Sequence, residues 1–267
     1  MSMRRVEERG VAYAVSSVGD YRGVVLLLHS LGTDHRTWDH ATVALNRAGF
    51  RVIAPDSRGH GASDDGPLHG AETWAEDLRA VLADDGVDAV HVVGVSMGCA
   101  QALELALAYP ERVQSLVLSG GFGHLDEEVR REKASALSWG AESAGMAVWA
   151  ERYTSDTLVT DDSRAHRLVA ESVASVDLKT YCASAQACFA PRNGDLRDIQ
   201  APTLVVWGER DHKTPEEMSL GLVRDLPCAR LVRLPGGGHL SPLDVPDEFA
   251  DVVVTFLASA TEIEATG

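Results

Sequence analysis

Two rhythms of apolar residues alternate along this chain. "GVVLLLHS" is continuously apolar from Val24 to Leu28, the pattern of a strand buried on both faces. "GVAYAVSSVG", "RVIAP", "AVHVVGV" and "VQSLVLSG" also read as strands. Between them, "RTWDHATVALNRAGF" repeats apolar residues at helical spacing through Trp38, Ala41, Leu45 and Ala48, with Gly49 at its end. "ETWAEDLRAVLADDG" is helical up to Gly86, and an Ala/Leu-rich segment runs from Met97 to Pro110 without a turn residue. Strands separated by helices of this length predict a mostly parallel central sheet with right-handed crossovers, an α/β fold.

The rhythm changes over residues 124–198. "EEVRREKASALSW", "GMAVWAERY" and "SRAHRLVAESVA" are helix-like, and no buried strand is evident. Strands resume at "PTLVVWG" and "ARLVRLP". The pattern predicts a helical lid at 124–198 inserted into an α/β core made of residues 1–123 and 199–267. Thr214-Pro215-Glu216-Glu217 has the form of a capping box, with Thr214 as N-cap. Phe249, Val252, Val253, Phe256 and Leu257 share one face of a final helix, and the polar tail from Ser259 is expected to fray.

Composition narrows the classes. A formal charge of −16 disfavours nucleic acid and anionic membrane surfaces as partners. "MSMRRVEERG" has no apolar segment behind its basic residues, and Val24–Leu28 is too short to span a bilayer. Cys99, Cys182, Cys188 and Cys228 have no CxxC spacing, so free thiols, a cytoplasmic location and no metal site are expected. Cys99, just past the serine turn, is expected to be a small core residue. Oligomeric state is left open, a homo-oligomer included.

Candidate chemistry centres on "GVSMG", where Ser96 stands between Gly94 and Gly98. With a strand before it and a helix after it, such a turn exposes the serine hydroxyl at the C-terminal edge of the sheet. The helix that follows directs its positive end at the same spot. A serine hydroxyl needs a base, and the base needs orienting. His239 follows a strand in the loop of "RLPGGGHLSPLD", and Asp211 follows the preceding strand in "WGERDHKTP". Loops at strand C-termini are where ligands collect in open α/β sheets. His212, His60 and Glu209 are rivals: His212 adjoins Asp211 and diverges from it in direction, and the turn-rich "SRGHGASD" favours a structural His60. An oxyanion hole is expected from the backbone amides of Met97 and of Leu31 in "HSLGT", with their side chains walling the pocket.

These stretches, together with "HSLGTDHRTWD", "APDSRGHGASD", "YPERVQSLVLSG" and "YCASAQACFAPRNGDLRDIQAPTL", resemble an α/β-hydrolase over nearly the whole chain. Within that superfamily the chain is most similar to the 3-oxoadipate enol-lactonase group. The resemblance implies hydrolysis of a small ester or lactone through an acyl-enzyme on Ser96, with His239 as base and then acid and Asp211 orienting it. It implies no cofactor and no metal. A general carboxylesterase or perhydrolase-like enzyme would use the same residues, and a non-catalytic small-molecule receptor could use the same fold. The chain departs from the group at His29 and in the lid, where Trp139 falls later than the usual tryptophan. His29, Trp139, Trp149 and Tyr153 are candidate pocket residues, the aromatic three either walling the pocket or packing the lid on the core. Arg130, Arg131 and Lys133 are either holders of a substrate carboxylate or a solvated helix face.

Overall fold

The apolar runs pair into one eight-stranded sheet in a computed structural model that describes residues 1–16, 19–68 and 70–264. Its strands are β1 (Ser2–Val6), β2 (Val11–Val15), β3 (Gly23–Leu28), β4 (Phe50–Pro55), β5 (Val90–Val95), β6 (Val113–Ser119), β7 (Thr203–Gly208) and β8 (Ala229–Leu234). Their spatial order is β1-β2-β4-β3-β5-β6-β7-β8. From β4 to β8 every pairing is parallel, and β1 and β2 add an antiparallel edge. β1 was not expected from its polar sequence. Arg4 and Arg5 lie on this outermost strand with their side chains partly in solvent, paired to Asp85 and Asp64, so no apolar alternation marks it. The predicted strand "GVAYAVSSVG" ends at Val15, and its Ser17 and Val18 lie outside the described residues.

Helices cover both faces, as parallel strands buried on both sides require. On one face lie α1 (Asp39–Arg47) and α10 (Pro246–Glu264); on the other lie α2 (Ala71–Asp84), α3 (Met97–Ala108) and α8 (Glu216–Asp225). β5 divides its side chains accordingly: Val93 and Val95 enter the first core, Val90 and Val92 the second. Each such buried aliphatic side chain contributes roughly 1.5–3 kcal/mol. Trp38, fully buried, lies 6.1 Å from Phe249 of α10 between ring centroids, which joins α10 to the start of α1. α10 continues to Glu264 rather than fraying at Ser259, because Leu257 and Ala260 are still buried.

Four helices fall between β6 and β7: α4 (Glu127–Ala144), α5 (Met146–Thr157), α6 (Ser163–Ser175) and α7 (Leu178–Cys188). α5 packs on α6 and α4 on α7. The layer is tied to the core by a half-buried carboxylate on the short helix α9 (Ser241–Asp244). Asp244 accepts the amides of Val159 and Thr160 through Oδ1, at 2.8 and 3.0 Å, and that of Gly238 through Oδ2 at 3.1 Å. The same side chain thus fixes the α5–α6 link and the loop leading to His239.

Candidate active site

β5 ends at Val95, and α3 begins at Met97, so Ser96 alone makes the turn. Its φ of 55° makes it the one non-glycine residue with positive φ among the described residues. That conformation costs on the order of 1–3 kcal/mol and persists where the surroundings enforce it. Here the amide of Ser96 donates to the carbonyl of Ser119 at 2.9 Å and its carbonyl accepts from Cys99. Gly98 permits the tight passage: a Cβ on it would stand 2.1 Å from the Leu28 carbonyl oxygen. The parallel register of β5, β6, β7 and β8 then brings the loops after all four to one edge.

At that edge the side chains meet. The Ser96 hydroxyl is 2.8 Å from His239 Nε2, and His239 Nδ1 is 2.9 Å from Asp211 Oδ2. With Nδ1–H donating to the carboxylate, Nε2 is left to accept the serine proton. Gly120 backs the pair at φ 61°; a Cβ there would lie 3.1 Å from His239 Nδ1 and 3.3 Å from Asp211 Oδ2. The bare end of β6 is therefore space reserved for the imidazole and its carboxylate.

Asp211 is buried and crowded with donors. Its Oδ1 accepts the amides of Lys213 at 2.8 Å and Thr214 at 3.0 Å, while Oδ2 accepts the Thr214 hydroxyl at 2.5 Å. Burial pushes its pKa up, but His239 and these hydrogen bonds outweigh burial and hold it below the ordinary carboxylate value. Thr214 is therefore not the N-cap of α8. That position falls to Pro215, which has no side chain to offer, and the threonine hydroxyl serves the Asp211 carboxylate instead. Glu216, next to Glu217 of the supposed box, pairs with Arg233. Replacing Thr214 by valine removes a donor from the oxygen that orients His239. kcat is expected to fall about tenfold, in line with the ~1–1.5 kcal/mol net worth of one hydrogen bond. The acid limb of the pH–rate profile should move to higher pH, because a less satisfied carboxylate stabilises the imidazolium more. Thr214→Ser should restore both; an unmoved profile would assign Thr214 to packing alone.

The rivals lie elsewhere. Glu209 and His212 are exposed, and His60 is buried beside His29 with ring centroids 5.3 Å apart. His29 does not reach the pocket. Its Nδ1 donates to the Ser30 carbonyl and its Nε2 accepts the Ser57 amide, which locks the loops after β3 and β4 together. Asp34, His35 and Asp56 are close enough to suggest a metal, but their oxygens are occupied. Asp34 binds Arg36 and Ser172, and Asp56 binds His35 and the Ala62 amide. They brace the turn that carries Leu31.

Three buried imidazoles make the fold sensitive to acid. Burial lowers His29, lowers His60 to about 4 with help from His29, and lowers His91 to about 4 with help from Arg22. Below an unfolded value of about 6.5 the unfolded chain binds protons that these sites refuse, so stability falls with pH. Each costs up to ~1.4 kcal/mol per pH unit below about 6.5, a loss that for His60 and His91 continues down to about 4. His35, raised chiefly by its bond to Asp56, and Asp244, raised chiefly by burial, oppose them, while Asp34, Asp56 and Asp211, held below the ordinary carboxylate value, add to the loss in acid. The melting temperature should therefore drop steadily from pH 7 to pH 4.5; a flat profile contradicts this balance.

A cavity of about 200 Å³ opens onto Ser96 and His239. Leu31, Phe122, Leu137, Tyr153, Cys188 and Phe189 give it an apolar lining, with Lys133 and Lys213 among them. Phe122 and Phe189 stack at 5.0 Å to form one wall. Of the expected pocket aromatics, only Tyr153 lines it, its hydroxyl 3.3 Å from Ser30 Oγ. Trp149 stands behind, against Tyr153 and Tyr181. Trp139 is 70% exposed on the outer face of α4. Arg130 is spent on the Leu125 and Phe189 carbonyls and Arg131 on Glu127, leaving Lys133 as the one expected basic residue in the cavity. The motifs that named the triad say nothing of Phe122, Phe189 or Lys213, whose roles depend on how the lid seats. Cys99 is a core residue whose thiol burial raises.

The α/β hydrolase fold family model matches residues 23–246, which spans β3 through the start of α10. The chain belongs to the α/β hydrolase fold family. A putative non-heme bromoperoxidase, BpoC, from Mycobacterium tuberculosis is 29% identical over 93% of this chain and 98% of its own length. A 2-hydroxy-6-oxo-6-phenylhexa-2,4-dienoate hydrolase from Burkholderia cepacia is 30% identical over 88% of this chain and 87% of its own. A 3-oxoadipate enol-lactonase from Acinetobacter baylyi is 26% identical over 88% of each. The enol-lactonase group thus stands among the relatives of this α/β-hydrolase beside enzymes with other substrates. Among the described residues no helix is long and apolar enough to cross a membrane.

Proposed function

We propose that this α/β-hydrolase is a serine hydrolase that cleaves a small ester or lactone through an acyl-enzyme. The observation that carries this reading is the unbroken run Ser96–His239–Asp211 opening onto a small apolar cavity. Ser96 Oγ attacks the carbonyl carbon while His239 Nε2 takes its proton. Asp211 keeps Nδ1–H directed at itself and stabilises the imidazolium that forms. The developing oxyanion is received by the amide of Met97, the first residue of α3 and without an intrahelical acceptor, and by that of Leu31. His239 then returns the proton to the departing alkoxide. Water, deprotonated by the same nitrogen, releases the acid and restores Ser96. None of these steps requires a cofactor.

The small cavity favours a compact acyl group, such as that of an enol-lactone, over a long chain. The dienoate hydrolase at 30% identity favours a second reading, in which the same residues act on an unsaturated oxo-acid. A panel of enol-lactones, saturated lactones, linear esters and oxo-dienoates decides between them by kcat/KM. A preference for lactones or esters supports the first reading, and turnover confined to the dienoates supports the second. If no compound is hydrolysed and Ser96 forms no adduct with a fluorophosphonate, the protein is a receptor and the proposal fails.

A further inference from the structure

Positive charge in this protein is carried almost wholly by arginine. The chain has 24 basic residues, of which only Lys133, Lys179 and Lys213 are lysines. Two of those three line the same cavity as Ser96. They come from different parts of the chain, Lys133 from α4 and Lys213 from the loop that carries Asp211. The Lys133 ammonium donates to the Lys213 carbonyl at 3.3 Å, and the Lys213 ammonium lies 5.4 Å from the centroid of the Tyr153 ring.

Such an arrangement is costly unless it serves a ligand. Two like charges beside an apolar wall repel each other and lose part of their hydration. Acidic side chains number 40, yet among the described residues neither ammonium has a carboxylate within ion-pair distance. Asp211 faces Lys213 but is engaged with His239 and Thr214, and Asp156 of α5 acts on it only at longer range. What the two side chains share is the cavity that both line beside Ser96. A lysine suits this place better than an arginine, since a compact charge on a flexible stem can meet an anion from several directions.

We infer that Lys213 and Lys133 form an anion-binding subsite beside Ser96, and that the substrate carries a carboxylate remote from the bond that is cleaved. The inference rests on the hydrolase reading of Ser96. It also explains how a protein of charge −16 admits an anionic substrate: the pair supplies a local attraction where the overall field repels. Lys213 is lowered below the ordinary lysine value, chiefly by burial, with Lys133 adding to the shift and Asp156 and Asp211 opposing it. The preference for an anionic substrate should accordingly weaken in alkaline solution as Lys213 loses its proton.

The test uses matched esters. One pair carries the charge on the acyl side, p-nitrophenyl hydrogen adipate against p-nitrophenyl hexanoate. The other carries it on the alcohol side, 4-acetoxybenzoate against phenyl acetate. In at least one pair the anionic member should have a kcat/KM about tenfold higher or more. Lys213→Met and Lys133→Met should each cut that ratio severalfold, and Lys213→Arg should preserve it at higher pH. A second measurement does not depend on turnover. Brief acetylation followed by peptide mass spectrometry should show adipate protecting Lys133 and Lys213, with the exposed Lys179 as internal reference. Equal rates within both pairs and no protection overturn the subsite and leave the hydrolase reading standing. Protection without hydrolysis of any ester or labelling of Ser96 supports the subsite and overturns the hydrolase reading instead.

Discussion

Ser96→Ala is expected to abolish turnover of any activated ester, by a factor on the order of 10⁵ to 10⁶ in kcat, comparable to removal of the nucleophile from other serine triads. Alanine leaves His239 and Asp211 in place but removes the oxygen that would carry the acyl group. No side chain in the cavity can substitute. Of the other hydroxyl and thiol groups in its lining outside the Asp211 loop, burial raises the Cys188 thiol to about 11 and the Tyr153 hydroxyl to about 12, so both are protonated at neutral pH. The variant should fold at least as well as the parent, because alanine satisfies the same backbone hydrogen bonds to Ser119 and Cys99. Two measurements together are decisive: circular dichroism and melting temperature for the fold, and fluorophosphonate labelling with ester hydrolysis for the chemistry. Retained hydrolysis in a folded Ser96→Ala protein would remove the nucleophile assignment altogether.

Asp211→Asn should cost about 10⁴-fold in kcat while keeping the shape of the site. The physical reason is the tautomer. A carboxylate can only accept, so it selects Nδ1–H and leaves Nε2 free to take the Ser96 proton. An asparagine amide group can donate to Nδ1, which places the imidazole proton on Nε2, where it faces Ser96 and cannot serve as a base. This site adds a penalty of its own. Oδ1 and Oδ2 of Asp211 receive three donors besides His239, namely two amides and the Thr214 hydroxyl. Asparagine offers one acceptor oxygen, so at least one buried donor goes unmatched, at ~1–3 kcal/mol. A lowered melting temperature is therefore expected alongside the kinetic loss. Glu209→Gln, on an exposed side chain, should change neither by more than a factor of about two. A large effect at Glu209 with a small one at Asp211 would reverse the assignment of the acid.

Much of the architecture was legible because burial patterns are local. The apolar run Val24–Leu28 reads as an inner strand because it is continuously apolar and, between turn residues, of strand rather than helix length. Ser96, Asp211 and His239 were legible for a related reason: each lies in the turn or loop that follows a strand, and parallel strands end on one edge. Thr214 was misread because the capping-box pattern and the acid-loop pattern use the same residues. Which one wins depends on whether a buried carboxylate lies within reach of the hydroxyl, and a linear sequence does not say. β1 escaped notice because an edge strand paired on one side can be polar along most of its length.

The lid marks the limit of sequence reading. Trp139 and Trp149 are chemically as suited to a pocket as Tyr153, but helix rotation turns Trp139 to solvent and sets Trp149 one layer back. Lys213 carries no signal in the motifs, and its place beside Lys133 follows only from how α4 packs. By itself the sequence determined the sheet apart from β1, the strand-to-helix turn at Ser96 and the placing of Asp211 and His239 after later strands, because those follow from periodicity and position along one chain. The tertiary structure alone decided which side chains line the cavity beside Ser96, because that depends on how separate helices rotate and pack over the sheet edge.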